Sequence, residues 1–304
     1  MKLGVIGGAG LLGATTAFYA GTKNILDEIK LVDVKKNMAA SHAMDMGQAL
    51  LGISKTRVIQ ADYSELTDCG IILITASLPE RNVADRNEYL TGNLGVITPV
   101  CEALKRYCSQ DTVVINASNP VDVFNYITWK ILGWERNKFI GFTLNDSLRL
   151  KWAVSLVTGK DVRKIQACCV GEHGDGQVRL YEQMTYEGRP LKLTEEEKQK
   201  IEEKTAGWFS EYQALNSGRT TGWTSAVSLT ALIEAVACDS HAVLPGSAVL
   251  EGEYGYCDVS LGMPLCLGKE GICSIVDPEL TEEQKQKLDA AAGKIRGLIG
   301  NAGF

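Results

Sequence analysis

The chain has 304 residues, 45% of them hydrophobic and 22% charged, with a formal net charge of −6. That length suits about two domains, and the composition is that of a soluble globular protein. The acidic balance argues against a nucleic-acid or anionic-membrane partner, and no apolar run reaches the ~18 residues of a membrane span. Nine cysteines, an odd count without a C-x-x-C pair, read as reduced thiols in a cytoplasmic protein. A strand signal starting at Lys2 is expected to leave no room for a signal peptide.

In chain order, that first strand, Lys2–Ile6, runs into Gly8-Ala9-Gly10-Leu11-Leu12-Gly13, a G-x-G-x-x-G that opens a helix over Leu11–Ala20. The next strand, Ile29–Asp33, ends on an acid 20 residues beyond Gly13. Strand, glycine turn, helix and acid in this order form a dinucleotide-binding fingerprint. The first glycine permits the turn, the second lets backbone approach a pyrophosphate, and the third lets helix and strand pack closely. Unpaired N–H groups and the positive end of the helix dipole then face the phosphates. Asp33 would accept hydrogen bonds from both adenosine-ribose hydroxyls and repel the extra phosphate of NADP, so the expected cofactor is NAD. The other reading of these glycines is a turn that binds nothing.

The alternation continues. Helices are expected over Lys36–Leu50, Asn87–Tyr107 and Val121–Leu132, and strands over Arg57–Gln60, Cys69–Ala76, Thr112–Asn116 and Lys138–Phe142. This predicts an α/β fold, a Rossmann-type doubly wound parallel sheet with helices on both faces. Ligands of such sheets lie beyond the carboxyl ends of the strands. Those ends carry Gly8, Asp33, Thr75, Ala76 and Asn116–Asn119, all candidate cofactor contacts.

The second half reads as a C-terminal α+β domain. A helix over Asp146–Val157 leads to an apolar run, Ile165–Val170. Capping boxes start helices at Thr194 (with Glu197) and Thr281 (with Gln284). The last helix sets Leu288, Ala291, Ala292, Ile295, Leu298 and Ile299 on one face. Glycine-punctuated strand signals fill Ala242–Val276. The expected domains are 1–142 and 143–304; without a Ser- or Pro-rich linker, they should pack tightly.

Three clusters could carry chemistry. His173, in Gly171-Glu172-His173-Gly174-Asp175, reads as sitting on exposed, tightly turned backbone, where an imidazole can exchange protons near neutral pH or simply face solvent. Asp146 and Arg149 share a helix face, either as an ordinary ion pair or as a carboxylate holding an imidazole beside an arginine gripping a substrate carboxylate. The polar stretch from Ser77 to Arg86 has the length of a lid or of a plain solvated loop. No metal site is expected, because neither His-x-x-x-His nor paired cysteine ligands occur and no carboxylate cluster has a calcium-loop spacing.

Together these motifs resemble the lactate/malate dehydrogenase family over essentially the whole chain. The resemblance rests on the glycine motif with Asp33, on Thr75-Ala76, Arg86 and Asn93, on Ala117-Ser118-Asn119-Pro120-Val121-Asp122, and on Asp146-Ser147-Leu148-Arg149. Gly171–Asp175, Thr221-Gly222-Trp223 and Gly255–Val259 complete it. It implies hydride exchange between NAD and a 2-hydroxy or 2-oxo acid, in a homodimer or homotetramer. His173 would be the acid–base group, Asp146 its orienting carboxylate, Arg149 the grip on the substrate carboxylate and Arg86 the group polarising the carbonyl. Asn119 would add a hydrogen bond, Thr221 would line the substrate pocket, and Gly8, Gly10, Leu11, Leu12, Gly13, Asp33, Thr75, Ala76, Asn93, Ala117 and Asn119 would bind NAD.

The chain departs from the family pattern in the lid. Glu80 occupies the position that usually selects the substrate, where malate-type members carry arginine and lactate-type members glutamine. Ser77 and Val83 replace glycines. Two like charges about 4 Å apart cost up to about 4 kcal/mol at an effective dielectric near 20. That disfavours a dicarboxylate roughly 10³-fold. The expected substrate is therefore a 2-oxo acid with a neutral or cationic tail. Arg81 facing inward, or Arg219 nearby, would instead admit malate. A catalytically silent NAD-binding sensor and an NAD-dependent glycosidase are further readings; the second lacks the Cys and His metal ligands it needs.

Overall fold

The computed structural model describes residues 1–78, 86–217 and 221–304, with only the backbone for 86–89. The N-terminal half alternates as read: β1 (Lys2–Ile6), α1 (Leu11–Thr22), β2 (Glu28–Val32), α2 (Lys36–Ala49), β3 (Arg57–Gln60), β4 (Ile71–Ile74), α3 (Arg86–Tyr107), β5 (Val113–Asn116), α4 (Val121–Leu132) and β6 (Phe139–Gly141). Their order in the sheet is β3-β2-β1-β4-β5-β6, and every pairing along it is parallel. Strands covered on both faces must be apolar along their whole length. Accordingly every residue of β4 and β5 is buried. The strand order reverses between β1 and β4, which opens a crevice beyond their carboxyl ends.

The C-terminal half comprises α5 (Leu144–Thr158), β7 (Ile165–Gln166), β8 (Cys169–Gly171), β9 (Gln177–Arg179), β10 (Thr185–Tyr186), β11 (Arg189–Pro190), α6 (Glu195–Ala214), α7 (Gly222–Ala237), β12 (Ala242–Glu251), β13 (Cys257–Gly268), β14 (Gly271–Ile275) and α8 (Glu282–Asn301). The parallel sheet does not end at β6. Gly141 of β6 pairs antiparallel with Ser247 of β12, and the ladder runs on through β13, β8 and β9 into one 11-stranded sheet. The two halves thus share a backbone ladder and one apolar core.

The apolar run Ile165–Val170 reads as one strand but forms two. β7 joins a three-stranded sheet with β10 and β11, whereas β8 joins the large sheet. The break falls where the Cys169 N–H donates to Ser147 Oγ at 2.9 Å instead of to a neighbouring strand. Both capping boxes form: the N–H groups of Glu197 and Gln284 donate to Thr194 and Thr281 Oγ1 at 3.2 Å, and the side chains of Glu197 and Gln284 accept the cap N–H groups in return. On α8, Leu288, Ala291, Ala292, Ile295 and Ile299 are buried and Leu298 is partly so. None of the nine cysteines forms a disulfide. Burial pushes the Cys69 and Cys101 thiols up to about 12, which makes them inert packing groups. Among the described residues, no helix is long and apolar enough to cross a membrane.

Candidate functional site

The crevice floor is built by the glycine motif. Gly10 precedes the first turn of α1 and offers no side chain to cap it, so the helix's leading N–H groups remain available. At Gly13 a Cβ would press into the Gly7 carbonyl oxygen and lie 2.8 Å from Thr75 Oγ1. Only glycine lets α1 sit that low over β1 and β4. Thr75 Oγ1 donates to the Ile6 carbonyl at 2.9 Å and so ties the ends of those strands together. Asp33 ends β2 with Oδ2 accepting the Ala9 N–H at 3.0 Å and Oδ1 the Lys35 N–H at 2.8 Å. Its carboxylate is held beside the turn with lone pairs to spare. Leu11 is exposed, whereas Leu12, Ala76 and Ala117 are partly buried against the core. A half-buried acid, a bare helix N-terminus and a backbone approach that excludes side chains fit a dinucleotide.

Asn93 differs from its expected role as a direct contact. It is fully buried on α3, where its carbonyl oxygen accepts the Leu78 N–H at 2.8 Å and its amide donates to the Asn119 carbonyl at 3.4 Å. It ties the two strand-end segments together, while Asn119 itself is exposed at the crevice.

On the C-terminal side, Asp146 stands in the first turn of α5, where the helix dipole favours an anion. His173 Nδ1 lies 2.6 Å from Asp146 Oδ2, and Arg149 Nη1 lies 3.5 Å from Oδ1. The sequence reading of His173 as exposed needs correction: its side chain keeps only 18% of its exposure. The reason is the folding of its loop. Gly171 has φ +89°, in the left-handed region, and a Cβ there would meet the Gly176 carbonyl at 2.7 Å. Glu172 turns inward, accepts the Gly176 N–H at 2.9 Å and pairs with Lys294 of α8 at 2.6 Å. Burial pushes the His173 pKa down, but the charge and hydrogen bond of Asp146 outweigh it, and the net shift is upward.

Two groups at this site carry no separate signal in the sequence. Asp122 of α4 is fully buried; its Oδ2 accepts the His173 backbone N–H at 2.7 Å and its Oδ1 accepts the Ser247 hydroxyl at 2.5 Å. Burial raises its pKa to about 6. Trp208 of α6 lies under Arg149, with the guanidinium carbon 4.6 Å from the ring centroid. The family-like segment around Asn119 contained Asp122, but only the fold shows what it touches. Thr221 precedes α7 and its Oγ1 lies 3.1 Å from Ser225 Oγ. Gly222 meets Leu11 across the crevice, where a Cβ would come within 3.0 Å of the Leu11 side chain. Arg86 begins α3, its side chain outside the described residues, as are Glu80, Arg81 and Arg219.

The fold and this cleft therefore define a dinucleotide-dependent oxidoreductase, and comparison with known proteins specifies it. Residues 1–141 match the family model for the lactate/malate dehydrogenase NAD binding domain, and residues 143–302 that for the lactate/malate dehydrogenase alpha/beta C-terminal domain. An L-lactate dehydrogenase of Clostridium perfringens is 29% identical over 99% of this chain and 97% of that protein. A malate dehydrogenase of Symbiobacterium thermophilum is 32% identical over 98% of this chain and 96% of its own. Among solved structures, malate dehydrogenase of Cryptosporidium parvum superposes with a TM-score of 0.93 at 28% identity, covering 99% of this chain and 98% of that one. Lactate dehydrogenase of the same organism, complexed with lactic acid and nicotinamide adenine dinucleotide, gives 0.90 at 28% identity, with the same coverage. The chain belongs to the lactate/malate dehydrogenase family. It is an NAD-dependent 2-hydroxy acid dehydrogenase acting on CH–OH donors.

Proposed function

We propose that the chain reduces a 2-oxo acid with a neutral or cationic tail, and oxidises the matching 2-hydroxy acid, with His173 as its acid–base group. The observation that carries this is the buried line Arg149–Asp146–His173, with contacts of 3.5 and 2.6 Å. Bound NADH supplies the hydride. Asp146 accepts Nδ1–H, which leaves Nε2 to give a proton to the forming alkoxide or take one from the hydroxyl. Arg149 binds the substrate carboxylate with its paired donors, and Trp208 fixes the plane of the guanidinium. Arg86 polarises the carbonyl and Asn119 adds a hydrogen bond to it. Thr221 lines the pocket. Gly8, Gly10, Leu11, Leu12, Gly13, Asp33, Thr75, Ala76 and Ala117 frame the NAD subsite.

The tail preference rests on Glu80 in the sequence. Kinetic constants for pyruvate, oxaloacetate, and branched, aromatic and cationic 2-oxo acids test it, repeated in Glu80→Gln and Glu80→Arg. Neutral or cationic substrates should lead in the parent protein, and Glu80→Arg should gain oxaloacetate. If oxaloacetate leads from the start, the malate reading through Arg81 replaces this one. NADH binding without turnover of any substrate means a silent sensor. His173→Asn should keep NADH binding and lose roughly 10²- to 10⁴-fold in turnover. The proposal includes a 1–142/143–304 domain division and a homo-oligomer. Met38 and Met44 of α2, and Trp223 and Val227 of α7, expose apolar surface that a second copy would cover. Light scattering that gives the mass of one chain at working concentration would refute the oligomer.

A further inference from the structure

Strand register brings together three soft ligands that lie 25 and 7 residues apart in the chain: His241, Cys266 and Cys273. Val243 of β12 pairs with Cys266 of β13, which places the His241 corner beside that cysteine. In the β13–β14 hairpin Cys266 pairs with Ser274 and Leu267 with Ile272, so Cys273 is the extra residue of a bulge. Two consecutive residues of β14 thus oppose Cys266, and Cys273 is turned toward it. One donor atom from each of the three residues falls within 4.8 Å of the others.

One donor pair has the spacing a metal needs. Cys273 Sγ lies 3.6 Å from His241 Nδ1. A tetrahedral zinc with bonds of about 2.3 Å to sulfur and 2.0–2.1 Å to nitrogen has an S···N edge of about 3.6 Å. The other ring nitrogen of His241, Nε2, lies 3.6 Å from Asp239 Oδ1, which also accepts the Lys269 N–H at 2.8 Å. A carboxylate on the far side of the ring adds negative charge beside the site. The backbone is shaped for this corner: Asp239 and His241 have φ of +49° and +53°.

We propose that His241, Cys266 and Cys273 bind one zinc(II) ion, with two thiolates, one imidazole and water as the fourth ligand. Binding releases the two thiol protons and leaves the metal's oxidation state unchanged. Sequence spacing gives no sign of this site because its ligands converge only through strand pairing. Cys266 lies four residues beyond Gly262, the partner of Gly171, in the direction away from His173. That is about 13 Å along the strand. The site therefore clamps the β13–β14 hairpin to the turn before β12 and takes no part in the hydride transfer.

The test uses the whole reduced protein after chelator dialysis. Cobalt(II) should bind once per chain with a thiolate-to-cobalt charge-transfer band, zinc(II) should displace it, and zinc should raise the melting temperature. Cys266→Ser, Cys273→Ser and His241→Ala should weaken binding at least tenfold and lose the zinc-dependent rise, with dehydrogenase activity unchanged. Cys257→Ser, at the far end of β13, should bind normally. A parent protein without the band, or a band that survives both Cys266→Ser and Cys273→Ser, overturns the site. So does a reduced protein that takes up no metal while its air-oxidised form shows a Cys266–Cys273 disulfide.

Discussion

Replacing Asp146 by Asn tests the proposed chemistry most directly, because two opposed effects set the protonation of His173. Burial disfavours the imidazolium; the Asp146 charge and hydrogen bond favour it and prevail. Unit charges about 4 Å apart at an effective dielectric near 20 interact by about 4 kcal/mol. That corresponds to about 3 pKa units before the hydrogen bond an Asn still offers is counted. Removing the charge leaves burial in place, so the His173 pKa should fall from above its ordinary ~6.5 to below it. Reduction needs the imidazolium. Its kcat/KM is full below the pKa and drops about tenfold per unit above it. The alkaline limb of the reduction profile should therefore move to lower pH in Asp146→Asn. The acid limb of the oxidation profile, where neutral imidazole is required, should move with it. Stability shows the same sign. The raised folded pKa stabilises the parent fully below ~6.5, and that contribution is lost as pH rises through the folded value. The variant should accordingly be most destabilised relative to its parent at acid pH. Steady-state NADH oxidation across pH, with ¹³C chemical shifts of His173 as a direct titration, measures both. Coincident limbs in parent and variant would refute the role given to Asp146.

Three further outcomes follow from the geometry. Gly13→Val puts a side chain into the Gly7 carbonyl and Thr75 Oγ1, and NADH fluorescence titration should show binding weakened at least tenfold; unchanged affinity would mean the glycine turn does not hold the dinucleotide. Asp122, with its pKa raised to about 6 by burial, costs the fold stability above that pH and not below ~3.8, by up to about 3 kcal/mol. Asp122→Asn should hence be as stable as the parent or more so at pH 8 in urea unfolding, yet slower in turnover because the His173 loop loses its anchor; a large loss of stability at pH 8 would contradict this. Trp208→Ala removes the surface beneath Arg149 and should raise KM for the 2-oxo acid several-fold more than it lowers kcat, since an enclosed cation–π contact is worth about 1–2 kcal/mol; an unchanged KM would separate Trp208 from substrate binding.

Much of this protein could be read from short-range signals. The glycine turn between Ile6 and Leu11, the acid at Asp33 and the caps at Thr194 and Thr281 depend on neighbours within a few positions, and their periodicity is intrinsic to helix and strand. Strand ends were less legible. Cys69–Ala76 reads as a long strand, but only Ile71–Ile74 is strand; Thr75 reaches the Ile6 carbonyl, where β1 ends, with both its N–H and its hydroxyl. The composition of the stretch from Ser77 to Arg86 singled out Glu80 and Arg81, yet a charge in sequence does not state which way it faces.

The residue types of the proposed site, the NAD fingerprint and the alternation of strand and helix that makes a parallel sheet were all written in the chain itself. Which distant groups meet was decided by the tertiary structure. The enclosure of His173 by Glu172 and Lys294, the Asp122 anchor, the Trp208 face under Arg149 and the convergence of His241 with Cys266 and Cys273 all arise from contacts between separate elements. Local propensity acts over a turn or two of backbone. The pairing of β6 with β12, which brings the halves together, follows from burying whole faces at once, and no single stretch of sequence carries that term.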